Sequence, residues 1–431
     1  MKPLPTRRAF LQQSTWTAAA LAATTQLPRR ARAADSPNEA VVLAVIGVNG
    51  RGRALAESFA TIGGARVATI CDVDERAVAR TIEHLNGKQD LAPKGEGDLR
   101  RVLDDKSIDG IVVATPDHWH GPATIMACGA GKHVYVEKPC CHNPREGELM
   151  IAAARKNQRV VQVGMQRRSM PVIREVIQRV HSGDIGNVVF ARGWYNANRK
   201  PIGHGKPAAV PSWLNYDLWQ GPAPERPYQD NLIHYNWHWF WNWGTGELGN
   251  NGIHSLDICR LGLKVDYPTR VTAGGGKYFF HDDQETPDTQ VVTWDYGDKA
   301  ITWEGRNWHH HGFEGSTFGI AFYGDKGSLV TDGHEYKVYD DAGKQLAKEN
   351  KGAQSHDPHL RDFLSCVRSG ERPWGDIEEG HKSTLLCLLG NIAYRTGHTL
   401  DCDPTNGHIR NDEAAMALWG REYRAGWEPQ V

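Results

Sequence analysis

The 431-residue chain has no run of 18 or more apolar residues, so no membrane-spanning helix is expected. Its eight cysteines, at positions 71, 128, 140, 141, 259, 366, 387 and 402, never fall into Cys-x-x-Cys spacing. Neither a zinc framework nor a disulfide scaffold can be read from them, and they are expected as reduced core residues. Internal repeats and low-complexity linkers are missing. An excess of basic charge is missing too. Six of the fifty Lys and Arg lie in the first 33 residues, and the other 44 face 51 acidic residues, a formal charge of −7. That acidity argues against a nucleic-acid partner. His309-His310-His311 comes without carboxylates at ligand spacing, and neighbouring histidines cannot all reach one ion. A strand with one inward histidine is expected there, and no metal.

What is abundant is tryptophan (15) and glycine (46), which suggest aromatic binding surfaces and many tight turns. The length predicts two domains. The first 33 residues read as an export signal of the twin-arginine type: Thr6-Arg7-Arg8-Ala9-Phe10-Leu11, a mildly apolar run from Ala18 to Thr25, then Ala31-Arg32-Ala33 as a small-residue cleavage site. A periplasmic or otherwise extracytoplasmic location follows as an expectation. Proteins exported by that route fold first, so a cofactor can be loaded before export.

Residues 34–164 alternate strand and helix. Val41–Ile46 is a continuous β-branched run of the kind buried on both faces of a parallel sheet. Arg66–Cys71, Gly110–Ala114, Val134–Val136 and Arg159–Val163 are further strands. Interleaving with helices predicts right-handed crossovers and a doubly wound parallel sheet. From residue 165 to 431 the pattern becomes α+β. A helix over Met170–His181 precedes strands at Val188–Tyr195, Arg270–Ala273, Gln290–Tyr296, Lys299–Glu304 and Thr317–Tyr323, forming a mostly antiparallel sheet. Helices over 357–369 and 376–396 are expected to pack back on the first domain.

The turn Gly47-Val48-Asn49-Gly50-Arg51-Gly52 joins a strand directly to a helix, the setting of a dinucleotide-binding loop whose N–H groups meet a pyrophosphate. Asn49 stands where a glycine is usual; asparagine tolerates left-handed backbone better than most residues. Asp72 lies 20 residues beyond Gly52 at the next strand's end, a spacing suited to an adenosine ribose. A carboxylate there would repel a 2′-phosphate, which favours NAD over NADP. Glu137-Lys138-Pro139 closes the strand-like run His133–Val136, 91 residues after Gly47. Proline holds the preceding lysine extended, at the end of a strand where ligands of such sheets bind.

Together with Thr115-Pro116-Asp117-His118-Trp119-His120 and Gly252-Ile253-His254-Ser255-Leu256-Asp257, these motifs resemble the Gfo/Idh/MocA family of sugar and polyol oxidoreductases. The resemblance covers nearly all of the chain after the signal. It implies an N-terminal Rossmann domain, a C-terminal domain whose open sheet often mediates oligomers (a dimer or tetramer), and NAD(P)-dependent oxidation or reduction of a sugar hydroxyl or carbonyl. Carried over, Gly47, Asn49, Gly50, Arg51, Gly52, Asp72, Thr115, Pro116, His120, Glu137, Lys138 and Gln166 would bind cofactor. Lys138 would be the acid/base, with His254 beside it. Many members have Asp-x-x-x-His; here Asn250 takes the Asp place, and an amide cannot accept a proton as a carboxylate does. Glu247, one turn earlier, could compensate.

Tyr235, Trp237, Trp239, Trp241 and Trp243 alternate, which in an extended segment would place the rings on one side to stack on a sugar. Trp237, Trp241, Tyr195, Arg167 and His254 are the expected substrate contacts. The leading expectation is an exported oxidoreductase holding NAD tightly and acting on a sugar or glycoside. The alternative is a glycosidase that oxidises its substrate only transiently, with no net NAD turnover.

Overall fold

The computed structural model describes residues 40–352 and 355–431; the twin-arginine segment lies outside them. Val41–Val431 forms one compact unit. Its first half contains β1 (Val41–Ile46), α1 (Arg51–Thr61), β2 (Ala65–Cys71), α2 (Glu75–Leu85), β3 (Lys94–Glu96), α3 (Leu99–Asp104), β4 (Gly110–Val113), α4 (Asp117–Gly129), β5 (His133–Val136), α5 (Pro144–Lys156) and β6 (Val161–Val163). The strands form a parallel sheet in the order β3-β2-β1-β4-β5-β6. The order reverses between β1 and β4, and ligands bind beyond the carboxyl ends of strands at such a reversal. The apolar runs in β1, β4 and β5 are almost wholly buried because helices cover both sheet faces.

The second half begins with α6 (Pro171–Ser182), β7 (Val188–Asn196), α7 (Tyr216–Gln220) and α8 (Ile253–Leu263). It continues with β8 (Arg270–Gly276), β9 (Thr289–Asp295), β10 (Ala300–Arg306), β11 (Phe318–Gly324), β12 (Gly327–Thr331), β13 (Glu335–Asp340) and β14 (Gln345–Asn350). It ends in α9 (Asp357–Ser369), α10 (Ile377–Thr396), β15 (Leu400–Asp401) and a last short helix, α11 (Glu413–Met416). Nine strands pair in the order β14-β13-β12-β11-β7-β10-β9-β8-β15, all antiparallel except β7 with β10. The five strands expected from the sequence are present within a few residues. β12, β13, β14 and β15 had no counterpart in the sequence reading.

Helices α9 and α10 join the halves. On α9, Leu360, Phe363, Leu364 and Cys366 are buried in the same core as Val41, Leu43, Phe59 and Tyr135. Helix α10 serves two cores: Ile377 and Leu388 pack with the first sheet, and Leu385, Leu386, Leu389 and Ile392 with the second. This dual burial explains why α10 has hardly any polar face. The eight cysteines are free and buried, as expected. The histidine triplet differs from expectation: His309, His310 and His311 lie exposed in the loop after β10, because the strand ends at Arg306.

His359 on α9 ties the halves by polar contacts. Its Nε2 donates to the Val163 carbonyl (2.9 Å), so Nδ1 accepts from the Ser169 hydroxyl (2.8 Å). Burial keeps this ring neutral and pushes its pKa down to about 4; His381 on α10 behaves alike, also to about 4. The unfolded chain takes up protons near pH 6.5 that the folded chain refuses until about pH 4. Stability is therefore whole above pH 6.5 and falls as pH drops from there toward 4. Urea unfolding at pH 7 and pH 5 should show a lower midpoint at pH 5, and His359→Gln should reduce that difference.

Candidate active site at the sheet reversal

The carboxyl ends of β1, β2, β4 and β5 open into a cavity of about 570 Å³. Gly47, Asn49, Gly50 and Arg51 line it from the first turn, Asp72 from β2, Thr115, Pro116, Asp117, Trp119 and His120 after β4, and Glu137 and Lys138 after β5. The opposite wall carries Gln166, Asn250, Asn251 and His254, with Trp219, His234, Tyr235, Trp237 and His238 from the segment between β7 and α8.

In the turn it is Gly47, not Asn49, that takes the left-handed backbone (φ +80°). A Cβ there would meet the Thr115 nitrogen at 2.7 Å, so only glycine fits. A Cβ on Gly50 would meet nothing within 4 Å, which leaves its place open to a ligand. Gly52 does not line the cavity. A Cβ on it would fall 1.8 Å from the Gly47 carbonyl oxygen, so its part is to let α1 close onto the turn. Asn49 is instead exposed, and its side-chain oxygen accepts from Arg80 (3.1 Å).

Asp72 is fixed by two backbone donors, Val48 N–H at 2.7 Å and Asp74 N–H at 2.9 Å; burial nevertheless lifts its pKa. Glu137 is buried and pairs with Arg51 at 2.8 Å. Burial alone would raise the Glu137 carboxyl, but Arg51 and Lys138 outweigh it and hold it below its ordinary value. Lys138 precedes a cis bond to Pro139. Its ammonium donates to the Asn250 carbonyl (2.8 Å) and to the Asn250 side-chain oxygen (3.2 Å). Asn250 sits in a π-helical turn, Leu248–Gly252, immediately before α8, and His254 follows on α8. Burial, with Arg167 and Lys138 nearby, pushes the His254 pKa well below its usual value, so the ring is neutral; its Nδ1 has no partner among the described residues. His120 is held at both nitrogens, Nδ1 near the Pro139 carbonyl (2.6 Å) and Nε2 near that of Thr115 (2.8 Å).

Three expected substrate residues lie outside the lining of this cavity. Arg167 stacks over Phe318 at 3.9 Å and points its Nη1 to the Asp332 carbonyl (3.4 Å). Tyr195 lies on β7, partly buried against the second core. Trp241 faces Arg395 at 5.1 Å, while its backbone N–H binds Glu285 (2.7 Å). The aromatic stretch is not extended: Asn236–Trp239 is a 3-10 helix, so Trp237 reaches the cavity while Trp239 and Trp243 are buried without lining it. Glu247 is not a free carboxylate. Arg199 holds it with two bonds, 2.5 and 3.0 Å, and Asn251 donates to it as well.

Sequence reading did not assign Asp117, Trp119, Trp219, His234 and His238 to the site, and it reached Tyr235 only through the aromatic alternation. His234 binds Asp74 at 2.9 Å, and Asp117 accepts from Thr245 at 2.6 Å, its pKa raised by burial. Asp117 and Trp119 sit in a quoted motif beside His120; Trp219 carried no local signal.

Around the cavity, Arg51 Nη2, Thr115 Oγ1, Gln166 Oε1 and His254 Nδ1 are buried polar atoms without partners among the described residues. Such atoms are rare unless a ligand meets them. With the glycine cradle and the anchored Asp72, they fit a dinucleotide with a small polar molecule beside it. Gly47→Ala should weaken NAD binding at least ~10-fold, as read by titration of protein fluorescence, while Gly50→Ala should act only by filling ligand space.

The comparisons with known proteins agree. A family model described as the oxidoreductase family's NAD-binding Rossmann fold matches residues 41–165, and one described as its C-terminal alpha/beta domain matches 193–429. A glycosyl hydrolase family 109 protein of Saccharopolyspora erythraea is 30% identical over 207 residues, 45% of this chain and 45% of that protein. An inositol 2-dehydrogenase of Salmonella paratyphi B is 27% identical over 143 residues, 33% of this chain and 41% of that protein. The chain thus spans less than half the length of these curated relatives. Among solved structures, levoglucosan dehydrogenase in complex with NADH and levoglucosan superposes with a TM-score of 0.66 at 17% identity, covering 84% of this chain and 99% of that one. An aldose-aldose oxidoreductase from Caulobacter crescentus gives 0.64 at 19%, covering 84% and 99%. These two likenesses concern the fold. By the two matched domains, the chain belongs to the Gfo/Idh/MocA oxidoreductase family and binds NAD through its Rossmann half.

Proposed function

We propose that this protein oxidises a hydroxyl of a sugar or glycoside, with Lys138 as the proton-transfer group, and that it works outside the cytoplasm with NAD that stays bound. The observation that carries the reading is the placement of Lys138. Its ammonium, anchored by two bonds to Asn250, shares one cavity with the glycine turn and Asp72. NAD, when bound, supplies a hydride acceptor; everything else falls to the chain. The Gly47–Gly52 turn and the unpartnered Thr115 and Arg51 atoms would receive the phosphates and riboses, and Asp72 the adenosine hydroxyls. Lys138 Nζ has a third hydrogen-bonding position left for a substrate oxygen. The ammonium first gives one proton to His254, a neutral ring, and the amine left behind takes the proton from the substrate oxygen, so Lys138 ends the step as an ammonium again. Asn250 cannot take a proton, and Glu247 is spent on Arg199. Trp237, Tyr235 and Trp219 offer apolar faces to a pyranose.

Free NAD is scarce outside the cytoplasm, so an exported enzyme needs a cofactor loaded before export and regenerated in place. A homo-oligomer would use the sheet face opposite the helices, where Val291 and Tyr323 stand exposed.

The names of several relatives favour a second reading. Besides the family 109 proteins, one in Shewanella oneidensis is an alpha-N-acetylgalactosaminidase, 30% identical over 125 residues. In a glycosidase of this type, oxidising C3 to a ketone acidifies the C2 proton, and the aglycone leaves by elimination. Water then adds and the ketone is reduced again, with no net NAD consumed.

The two readings separate in one assay. The mature protein is purified, its bound NAD measured, and p-nitrophenyl glycosides and free sugars supplied with and without added NAD. NADH appearing in step with substrate consumed, without p-nitrophenol, supports the dehydrogenase. Release of p-nitrophenol with no net NADH supports the glycosidase. Under either, Lys138→Ala should lower turnover per bound NAD ~10²–10⁴-fold. An intact rate would refute the role given to Lys138.

A further inference from the structure

The oxidation just proposed needs one proton-transfer group, and Lys138 with His254 supplies it. His238 is then a second imidazole in the same cavity that the reading leaves unused. It comes from the other wall, in the 3-10 turn Asn236–Trp239. Its Nδ1 lies 2.6 Å from the Tyr235 carbonyl. A carbonyl only accepts, so Nδ1 carries the hydrogen and Nε2 keeps a lone pair. The ring is clamped flat on Trp237, with centroids 3.6 Å apart and planes at 19°. Nε2 has no partner among the described residues. Burial, with Lys138, Arg199 and His120 nearby, lowers the His238 pKa, so the resting ring is neutral and Nε2 keeps its lone pair. The other cavity histidines outside α8 are committed, His120 at both nitrogens and His234 to Asp74. A ring with fixed tautomer, fixed plane and a free acceptor is a positioned base.

We propose that His238 is a catalytic base for a carbon acid: it removes the proton from the carbon next to the carbonyl that oxidation creates. This rests on the oxidation reading above. The C–H bond breaks and its proton goes to Nε2, giving an imidazolium. The electron pair becomes a C=C bond, and the carbonyl oxygen takes the charge against the Lys138 ammonium. If the next carbon bears a glycosidic oxygen, the pair re-forms the carbonyl system by expelling that oxygen, which collects the proton from the imidazolium. If it does not, the proton returns to carbon. The substrate class is accordingly a glycoside with a hydroxyl two carbons from the bond to be broken, and no further reagent is consumed in the step.

The test is isotopic. A p-nitrophenyl glycoside oxidised or cleaved in the assay above is turned over in D₂O, and deuterium at the carbon beside the oxidised one is measured by NMR in recovered glycoside and product. Wild-type protein should incorporate deuterium there. His238→Asn keeps a donor for the Tyr235 carbonyl and removes the base; deuterium per oxidation event should fall about 100-fold, with bound NAD at the wild-type level. Oxidation by wild-type protein without deuterium, or exchange in the variant at the wild-type ratio, overturns the role of His238 and leaves the oxidation reading standing. No oxidation of any glycoside or sugar overturns both.

Discussion

The site depends on one contact across a seam: the Lys138 ammonium, at the end of a strand in the first sheet, against the carbonyl of Asn250 in front of α8 in the second half. Hydrogen-bond geometry tolerates only tenths of an ångström, so the two halves must be held far more tightly than by a hinge. The holding is hydrophobic. Helix α10 buries leucines into both cores at once, and α9 returns from the C-terminal half to cap the first sheet with Phe363 against Phe59 and Tyr135. Each fully buried leucine or phenylalanine contributes roughly 1.5–3 kcal/mol. Separating the halves would expose many at once, which explains why the chain from Val41 onward is one unit although it has two sheets.

Electrostatics within that seam mix both signs, with Arg51 paired to Glu137 and Arg199 to Glu247. Arg51, Lys138, Arg167 and Arg199 crowd the cavity and its surroundings, and buried imidazoles near such cations stay neutral. Asn250 fits this picture. Its amide nitrogen lies 3.5 Å from Glu247, a carboxylate that is buried and already bound to Arg199 and Asn251. The amide gives Lys138 a neutral acceptor at its side-chain oxygen. Glu247 is occupied by Arg199 and Asn251 and orients the turn through them, as a support and not as a substitute base.

The parts visible in the sequence are those whose physics is local. A β-branched run such as Val41–Ile46, a glycine forced to φ +80° at 47 and a proline after Lys138 each show themselves within a few residues. The second sheet was half legible, because β14 reads Gln-Leu-Ala-Lys-Glu-Asn and is mostly exposed, with no alternation for burial to impose. The aromatic alternation at 235–243 misled for the opposite reason. Period two fits a strand, yet the segment belongs to a lobe with its own core of Trp219, Trp237, Phe240 and Trp243, where packing sets the backbone. The π-helical turn at 248–252 has no sequence signature, although it delivers both Asn250 and His254. Contacts such as His118 with Trp219, 101 residues away, exist only once the chain is folded.

That lobe bears on the cofactor as much as on the substrate. It is fastened to the Rossmann half by Asn215 N–H to the Val73 carbonyl (3.0 Å), Glu75 N–H to that of Trp213 (3.2 Å), the Asp74–His234 pair and Arg76 stacked on Trp213 at 3.3 Å. A second row joins His118 and Trp119 to the Trp219 carbonyl, and His118 N–H to that of Trp243. Both rows flank the wall that Trp219, His234 and His238 present to the cavity. The wall is thus fixed to the first half by two separate rows of bonds, and these set where Trp219, His234 and His238 stand relative to the glycine turn.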